Sequence, residues 1–381
     1  MRIIFHEMKK IFHLKAVLLL LALSFIYYVL FIKFYIDHFP NGRPALDLYR
    51  VSIEMVKDYG SRMDEKEFSH FQEVYQQQVK EANRFLQSRP EFAAAGITTY
   101  EAFRNMDMSN DTLAQLYSKI MFEENLDLFW ELQAREYFID RYENKEDWIR
   151  GRYEDVSHQQ EQRLQEVINR GHIDAIFPFL ILENYNDLIR HVSILTLLSI
   201  VFMISPLYLR DRSNLVVYLQ YSSKTGRRIF GKKLVAGLLA AALIITLQLA
   251  AFFVVYPLDQ VGPFLSSEIN SFFNDWTFWY DWTFGQYIAL TVIAIYLLGL
   301  VVACLTAWIS RLATNTLTLI GVQVPISFVL FWLAWKYLMN ALTEIGRPPY
   351  FLPACYVALI AVAIALVAWR WKKEKEIDLA V

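Results

Sequence analysis

The sequence predicts an all-α integral membrane protein with six transmembrane helices and a helical extracellular domain between helices one and two. Two observations lead to this fold class. The chain has 381 residues, of which 55% are hydrophobic, and several apolar runs reach the 18 or more residues expected of membrane-spanning helices. Charged residues are instead concentrated between the first two runs and in short basic flanks.

The apolar runs define the predicted spans. Each approaches the ~20 residues that a helix needs to cross the hydrocarbon core of a bilayer. Pro206 and Pro325 are compatible with spans, because neighbouring helices can satisfy the carbonyls that a proline leaves free. The runs are Ala16–Tyr35, within a first transmembrane segment of residues 16–36, then Val192–Leu209, Leu234–Tyr256, Tyr287–Ile309, Thr316–Leu338 and Phe351–Trp371.

Lysine and arginine in the flanks predict the orientation, because cytoplasmic loops of membrane proteins carry an excess of both residues. With the N-terminus in the cytoplasm, the cytoplasmic segments carry sixteen basic residues. The two short loops on the other side, Pro257–Gln286 and Met339–Tyr350, carry only Arg347. We therefore expect both the N-terminus and the C-terminal tail to be cytoplasmic.

The pattern of apolar and basic side chains in residues 1–15 predicts a short amphipathic helix that lies in the inner membrane interface. Apolar side chains recur there at helical spacing, and the lysines lie off that stripe. A straight downward extension of the first span is the alternative interpretation. The apolar positions are Ile4, Phe5, Met8, Ile11 and Phe12.

Residues 37–188 predict an extracellular, mostly helical domain. The segment holds 29 acidic and 17 basic residues, a formal charge of −12, and few β-branched runs. Asp64 with Glu67, and Thr98 with Glu101, are typical pairs at helix N-termini. Long helical patterns run over residues 111–142 and 157–169.

Sequence motifs of enzymes are missing. There is no H-E-x-x-H, no G-x-S-x-G and no pair of histidines four residues apart. Cys304 and Cys355 provide neither a disulfide framework nor metal-ligand spacing. The negative charge of the domain disfavours nucleic acid as a partner. We expect no catalytic residue, no metal ligand and no cofactor site in this chain.

The stretch GRRIFGKK, from Gly226 to Lys233, resembles the phosphate-binding loop G-x-x-x-x-G-K-[ST] in all but its last position. That loop needs a serine or threonine hydroxyl for Mg²⁺, whereas Lys233 would add a positive charge there. The loop should also open a helix of a soluble α/β domain, but here a membrane span follows. We therefore interpret the segment as mechanical and expect no ATP hydrolysis by this chain.

The cytoplasmic loop of residues 210–233, between spans two and three, carries an unusual pattern. Leu215, Val216 and Leu219 form an apolar patch between polar ends, enough for a short helix on the inner face. A turn is expected over Ser222–Gly226. Basic residues then anchor the base of the third span at lipid headgroups. They are Arg227, Arg228, Lys232 and Lys233.

This arrangement resembles the permease subunit of the type-two ABC exporter family. In that family the loop commonly reads E-x-x-x-G-x-x-x-x-L-x-x-x-P-x-x-R-x-x-x-x-x-K. In this chain Asn214 or Leu215 stands at the glycine position, and Lys224 or Thr225 at the proline position. The other positions correspond to Asp211, to Leu219, to Arg227 or Arg228, and to Lys232 or Lys233. The likeness covers residues 1–15 and 189–381, and the large domain after the first span resembles that of one exporter subgroup.

The resemblance implies a subunit of the cell membrane, expected to be bacterial, that exports an amphipathic or cationic cargo such as a peptide or lipid. Its partners would be a separate ABC ATPase, which binds the ATP, a second permease copy or paralogue, and membrane lipid. Coupling to the ATPase would involve Asp211, Leu215, Val216, Leu219, Arg227, Arg228 and Lys232. Gln248 and Gln323 are candidates for the translocation path, because polar residues are few within the spans. A membrane-anchored receptor or scaffold, whose domain binds a partner without transport, is the alternative.

Overall fold

A computed structural model describes residues 2–153, 156–222 and 226–376. It confirms that the chain is all-α: in these three ranges it is helical, with isolated β-bridges and no strand. Six of its helices are long and apolar enough to cross a membrane, so the chain is a multi-pass membrane protein. In chain order these spans are Leu14–Asp37, Phe179–Ser213, Ile229–Val255, Phe284–Leu312, Thr316–Leu338 and Phe351–Glu374.

The N-terminal helix, Arg2–Ile11, is separate from the first span. His13 has an extended backbone, which breaks the helix before Leu14. The N-terminal helix packs against the third span, and Ile11 is buried in the core of the bundle. The first span contains one π-helical turn, Tyr28–Ile32, and is little buried by the rest of the chain.

The second span begins earlier than the sequence predicted. One helix runs over Phe179–Ile204, and a second, Pro206–Ser213, continues it after Ser205. The expected boundary at residue 188 was wrong because Glu183, Asn184, Asp187 and Arg190 interrupt the apolar pattern without interrupting the helix. The second span is also the most buried of the six, and it packs against the third and fourth.

Glycine allows close packing at the centre of this bundle. A Cβ added to Gly299 would lie 2.7 Å from Cδ1 of Ile245 and 3.0 Å from Cδ1 of Ile200. Spans two, three and four therefore approach each other at a position where a larger side chain does not fit.

A helical domain lies between spans one and two. The predicted capping box of Asp64 and Glu67 is confirmed, but the second predicted cap is wrong by one residue, because Thr99 rather than Thr98 caps its helix. The continuous helix expected over 111–142 is broken near Asn125, which has a φ of 50°. The α-helices are Ala45–Tyr59, Glu65–Gln87, Pro90–Ala94, Tyr100–Arg104, Asp111–Ser118, Asp127–Glu143, Lys145–Gly151 and His158–Asn169.

The helical domain shares its core with two loops of the membrane bundle. Phe272 and Phe273, between spans three and four, and Ile345, between spans five and six, are buried among domain residues. An ion pair of 2.6 Å between Arg141 and Asp275 crosses the same interface. We call this face of the bundle the domain side and the opposite face, which carries the N-terminal helix and the end of the sixth span, the termini side.

Candidate functional site

Four charged side chains meet on the termini side of the bundle. They come from three elements: Glu7 and Lys10 from the N-terminal helix, Asp211 from the end of the second span and Lys233 from the start of the third. Lys233 pairs with Asp211 and lies 3.5 Å from Glu7. Lys10 lies 2.8 Å from Glu7 and 3.3 Å from Asp211. We call these four residues the ion-pair cluster; its two carboxylates and two ammonium groups balance in charge.

Lys10 is partly exposed, whereas the other three members of the ion-pair cluster are buried. Glu7, Asp211 and Lys233 are all buried, and Lys233 also donates to the carbonyl of Leu207 at 3.2 Å. Burial lowers the pKa of Lys10, but the hydrogen bonds and charges of Glu7 and Asp211 outweigh this effect and hold the pKa above its ordinary value. The cluster therefore fixes the N-terminal helix to the bases of two spans with charged contacts.

The position of Lys233 shows that one prediction was wrong. We expected it at the lipid headgroups beside Lys232, but its side chain is buried and faces Asp211. Successive residues of a helix point about 100° apart, so two adjacent lysines cannot both face the lipid in the same way. Lys232 is half-buried and Arg228 is exposed, and these two remain candidates for a surface role.

A short helix, Val216–Ser222, lies beneath the cluster; we call it the connecting helix. The side-chain amide of Gln220 donates to Asp211 at 2.6 Å. The guanidinium of Arg311, at the end of the fourth span, donates to the hydroxyl of Tyr221 at 2.9 Å. Val217 lines the same small cavity as these groups. Because residues 217, 220 and 221 share one face of a helix, that face is docked on the bundle.

The other side of the connecting helix faces away from the bundle. Leu215 is 66% exposed and Leu219 is 73% exposed, and Val216 is half-buried. Leu215 has a φ of 55°, in the left-handed region, where the chain turns from the second span into the connecting helix. The helix thus presents an apolar edge on the termini side of the molecule.

Ion pairs between two arginines and one glutamate hold the end of the sixth span near the connecting helix. Arg311 binds Glu374 at 2.7 Å, and Arg370 binds the same carboxylate at 3.0 Å. Through Tyr221 and Arg311, the connecting helix is thereby linked to the fourth and sixth spans as well as to the second and third.

The remaining predicted coupling residues follow the connecting helix. Arg227 lies in a short 3₁₀ turn, Gly226–Arg228, and its side chain is outside the described part of the structure. Residues Ser223, Lys224 and Thr225 are also outside it, so most of the predicted turn over Ser222–Gly226 is not described. From Ile229 onward, the stretch that resembles a phosphate-binding loop is part of the third span.

The two candidates for a translocation path lie at different helix contacts. Gln248 donates to Ser199 at 2.7 Å, which joins the third span to the second. Gln323 donates to Ser327 at 3.0 Å and to Thr306 at 3.4 Å, which joins the fifth span to the fourth. Each glutamine is therefore engaged in helix packing, and the structure does not bring the two into one site.

Sequence reasoning missed several residues of this region. Glu7 is the single acidic residue of the basic N-terminal segment, and Glu374 lies among lysines at the end of the last span. An isolated acid within a basic flank was the available signal for Glu7, whereas Glu374 is followed by a second acid, Glu376. Comparison of the chain with protein-family models, with curated proteins and with solved structures finds no match.

Proposed function

We propose that this chain is the permease subunit of an ABC transporter and that a separate ATPase subunit drives it. The observation that carries the proposal is the two-faced connecting helix. Its inner face is held by hydrogen bonds to Asp211 and from Arg311, while Leu219 on its other side and Leu215, just before its first residue, are exposed. A helix held in this way is suited to dock on a cytoplasmic partner and to pass on its movement.

The apolar edge provides the energy for such docking. Burial of a leucine side chain against a partner contributes roughly 1.5–3 kcal/mol. Asp211 was expected to contact the ATPase directly, but it is buried and bound to Lys233 and Gln220. In this proposal Asp211 therefore holds the connecting helix in position, and the leucines make the contact with the partner.

A movement of the connecting helix would reach the membrane bundle through these hydrogen bonds. Gln220 transmits it to the second and third spans through Asp211, and Tyr221 transmits it to the fourth through Arg311. Closure of two ATPase subunits on ATP supplies the differential contacts that a change between two states requires. The chain itself hydrolyses nothing in this scheme.

The cargo and the location are part of the same proposal. We place the chain in a bacterial cell membrane, with both termini in the cytoplasm and the helical domain outside, because of the distribution of basic residues. An amphipathic or cationic cargo agrees with the apolar spans and with the acidic domain. A second permease copy would complete the pathway.

Simultaneous substitution of Leu215→Ser and Leu219→Ser tests this function. The variant should insert and fold, because neither residue is within a span, but an ABC ATPase that copurifies with the wild-type chain should be lost. If it is retained, its ATP hydrolysis should no longer respond to the chain. Affinity purification at matched expression, mass spectrometry and an ATPase assay in liposomes provide the measurements.

A matched control is available on the domain side. Leu258 is 40% exposed and Leu265 is 37% exposed, and both lie in the loop between spans three and four. The double change Leu258→Ser with Leu265→Ser should leave the ATPase bound and active. If the wild-type chain copurifies with no ATPase, or the connecting-helix variant retains full partnership and coupling, the proposal is wrong and the receptor interpretation is preferred.

A further inference from the structure

A cavity of about 250 Å³ lies between the first and second spans on the domain side. The last turns of the first span form one wall, and the first turns of the second span form the other. The wall from the first span and the segment after it is aromatic, with Phe34, Tyr35 and Phe39. The wall from the second span is acidic, with Glu183 and Asp187.

Contacts around the cavity hold its walls in place. The side-chain amide of Asn184 donates to the carbonyl of Tyr35 at 2.9 Å, which ties the two spans together at one edge. The ring of Phe34 stacks on His38, with ring centroids 4.6 Å apart, and Phe34 is 54% exposed. The aromatic wall is therefore already formed, and one of its rings is accessible from outside the protein.

Glu183 is the uncompensated charge of this cavity. Its carboxylate is exposed and makes no ion pair or hydrogen bond with any residue in the described ranges. The charged groups that act on it are both acidic, Asp187 and Asp275. Each of those two has its own arginine, Arg190 and Arg141 respectively. The negative charge of Glu183 is thus available to a cation from outside the chain.

The position of the cavity decides which kind of cation fits. Both walls include the end of a membrane span, and the first span is little buried by the rest of the chain, so the cavity is near the lipid phase. A carboxylate near the end of a span lies at the height of the lipid headgroups. Aromatic faces attract ammonium and guanidinium groups, and they also accommodate alkyl chains. A purely hydrophilic cation would leave the aromatic wall without an apolar partner.

We propose that this cavity binds an amphipathic organic cation. Its ammonium or guanidinium group pairs with Glu183 against the aromatic wall, and its apolar part extends toward the lipid. Binding at this site does not depend on an ATPase partner. Only its interpretation as a cargo site rests on the proposed function.

Photo-crosslinking tests the site without any ATPase. The probe is a decyltrimethylammonium ion with a diazirine in its chain, added to the purified chain in phosphatidylcholine nanodiscs. The labelled positions, identified by mass spectrometry, should fall within residues 34–45 or 179–187. Labelling should drop about tenfold in Glu183→Gln, as expected for the loss of one charge-assisted contact.

Two controls make the result specific. Glu81→Gln removes an exposed carboxylate from the surface of the helical domain and should leave labelling unchanged. A neutral decanol with the same diazirine should label these segments weakly and equally in wild type and Glu183→Gln. Equal labelling by both probes, or unchanged labelling in Glu183→Gln, would show a lipid crevice without cation selectivity and overturn the proposal. If the wild-type chain copurifies with no ATPase, the proposed function is wrong, but this cation site is still tested independently by the labelling result.

Discussion

Lys232 and Lys233 are neighbours in the sequence and differ strongly in environment. Lys232 is half-buried, and no ion pair is found for it in the described residues, whereas Lys233 is buried between Asp211 and Glu7. Two buried carboxylates depend on the ammonium group of Lys233, with Lys10 as the other cation of the cluster. Removal of one partner of a buried pair leaves an uncompensated charge, which costs more than the pair itself contributes.

Lys233→Met should therefore lower the free energy of unfolding by about 3–5 kcal/mol. Lys232→Met is the matched control at the adjacent position and should change it by less than about 1 kcal/mol. Thermal and denaturant unfolding in nanodiscs measures both. Addition of Asp211→Asn to Lys233→Met should recover part of the loss, because it removes one unpaired carboxylate. Equal stability of the two lysine variants would contradict the role given to the ion-pair cluster.

For single helices, the sequence predicts that a helix exists more accurately than it predicts the residues at which the helix begins and ends. Each of the six apolar runs is a helix, because ~20 consecutive apolar residues have no other stable arrangement in a bilayer. The start of the second span was missed because polar residues at its domain-side end are helical too. The break near Asn125 was missed because helical periodicity continues on both sides of it.

For the predicted functional residues, the sequence indicated the local helix but not the residues that this helix and Asp211 contact. The apolar patch of Leu215, Val216 and Leu219 was visible as a local pattern, and the structure places a short helix there. The partners of Asp211 were not visible, because Lys10 and Lys233 are distant from it in sequence and only the packing of the helices brings them together. Local patterns can be predicted from sequence, whereas contacts between elements require the fold.

Packing of the spans gives a second stability prediction. Gly299→Val should destabilise the bundle by about 1–3 kcal/mol, because the new side chain meets Ile245 and Ile200 in a filled core. Gly321→Val, in the fifth span, is the control, since nothing lies within 4 Å of a Cβ added there. The midpoint of thermal unfolding of each purified variant is the measurement. A smaller loss for Gly299→Val than for Gly321→Val would show that spans two, three and four are not packed as described.

The orientation of the whole molecule can be tested directly. In a chain with Cys304→Ser and Cys355→Ser, a cysteine at Tyr280, which is 44% exposed on the domain side, should react with an impermeant maleimide in intact cells. A cysteine at Glu376, exposed at the end of the last helix on the termini side, should react only after the membrane is permeabilised. The excess of lysine and arginine on the termini side is the physical reason. The reverse pattern would invert the topology and rule out docking of the connecting helix on a cytoplasmic ATPase.

The shared core of the helical domain has a consequence for synthesis of the protein. Residues 45–169 leave the ribosome before Phe272, Phe273 and Ile345, which complete that core. At ~5–20 residues per second, the domain waits roughly 10 to 35 seconds for Ile345 to be made. For roughly 5 to 20 seconds of that interval, until Phe272 and Phe273 are made, Phe138 lacks Phe273 and Tyr142 lacks Phe272 as aromatic partners. A nascent chain of this protein therefore exposes an apolar surface on its helical domain until the loops after the third and fifth spans are made.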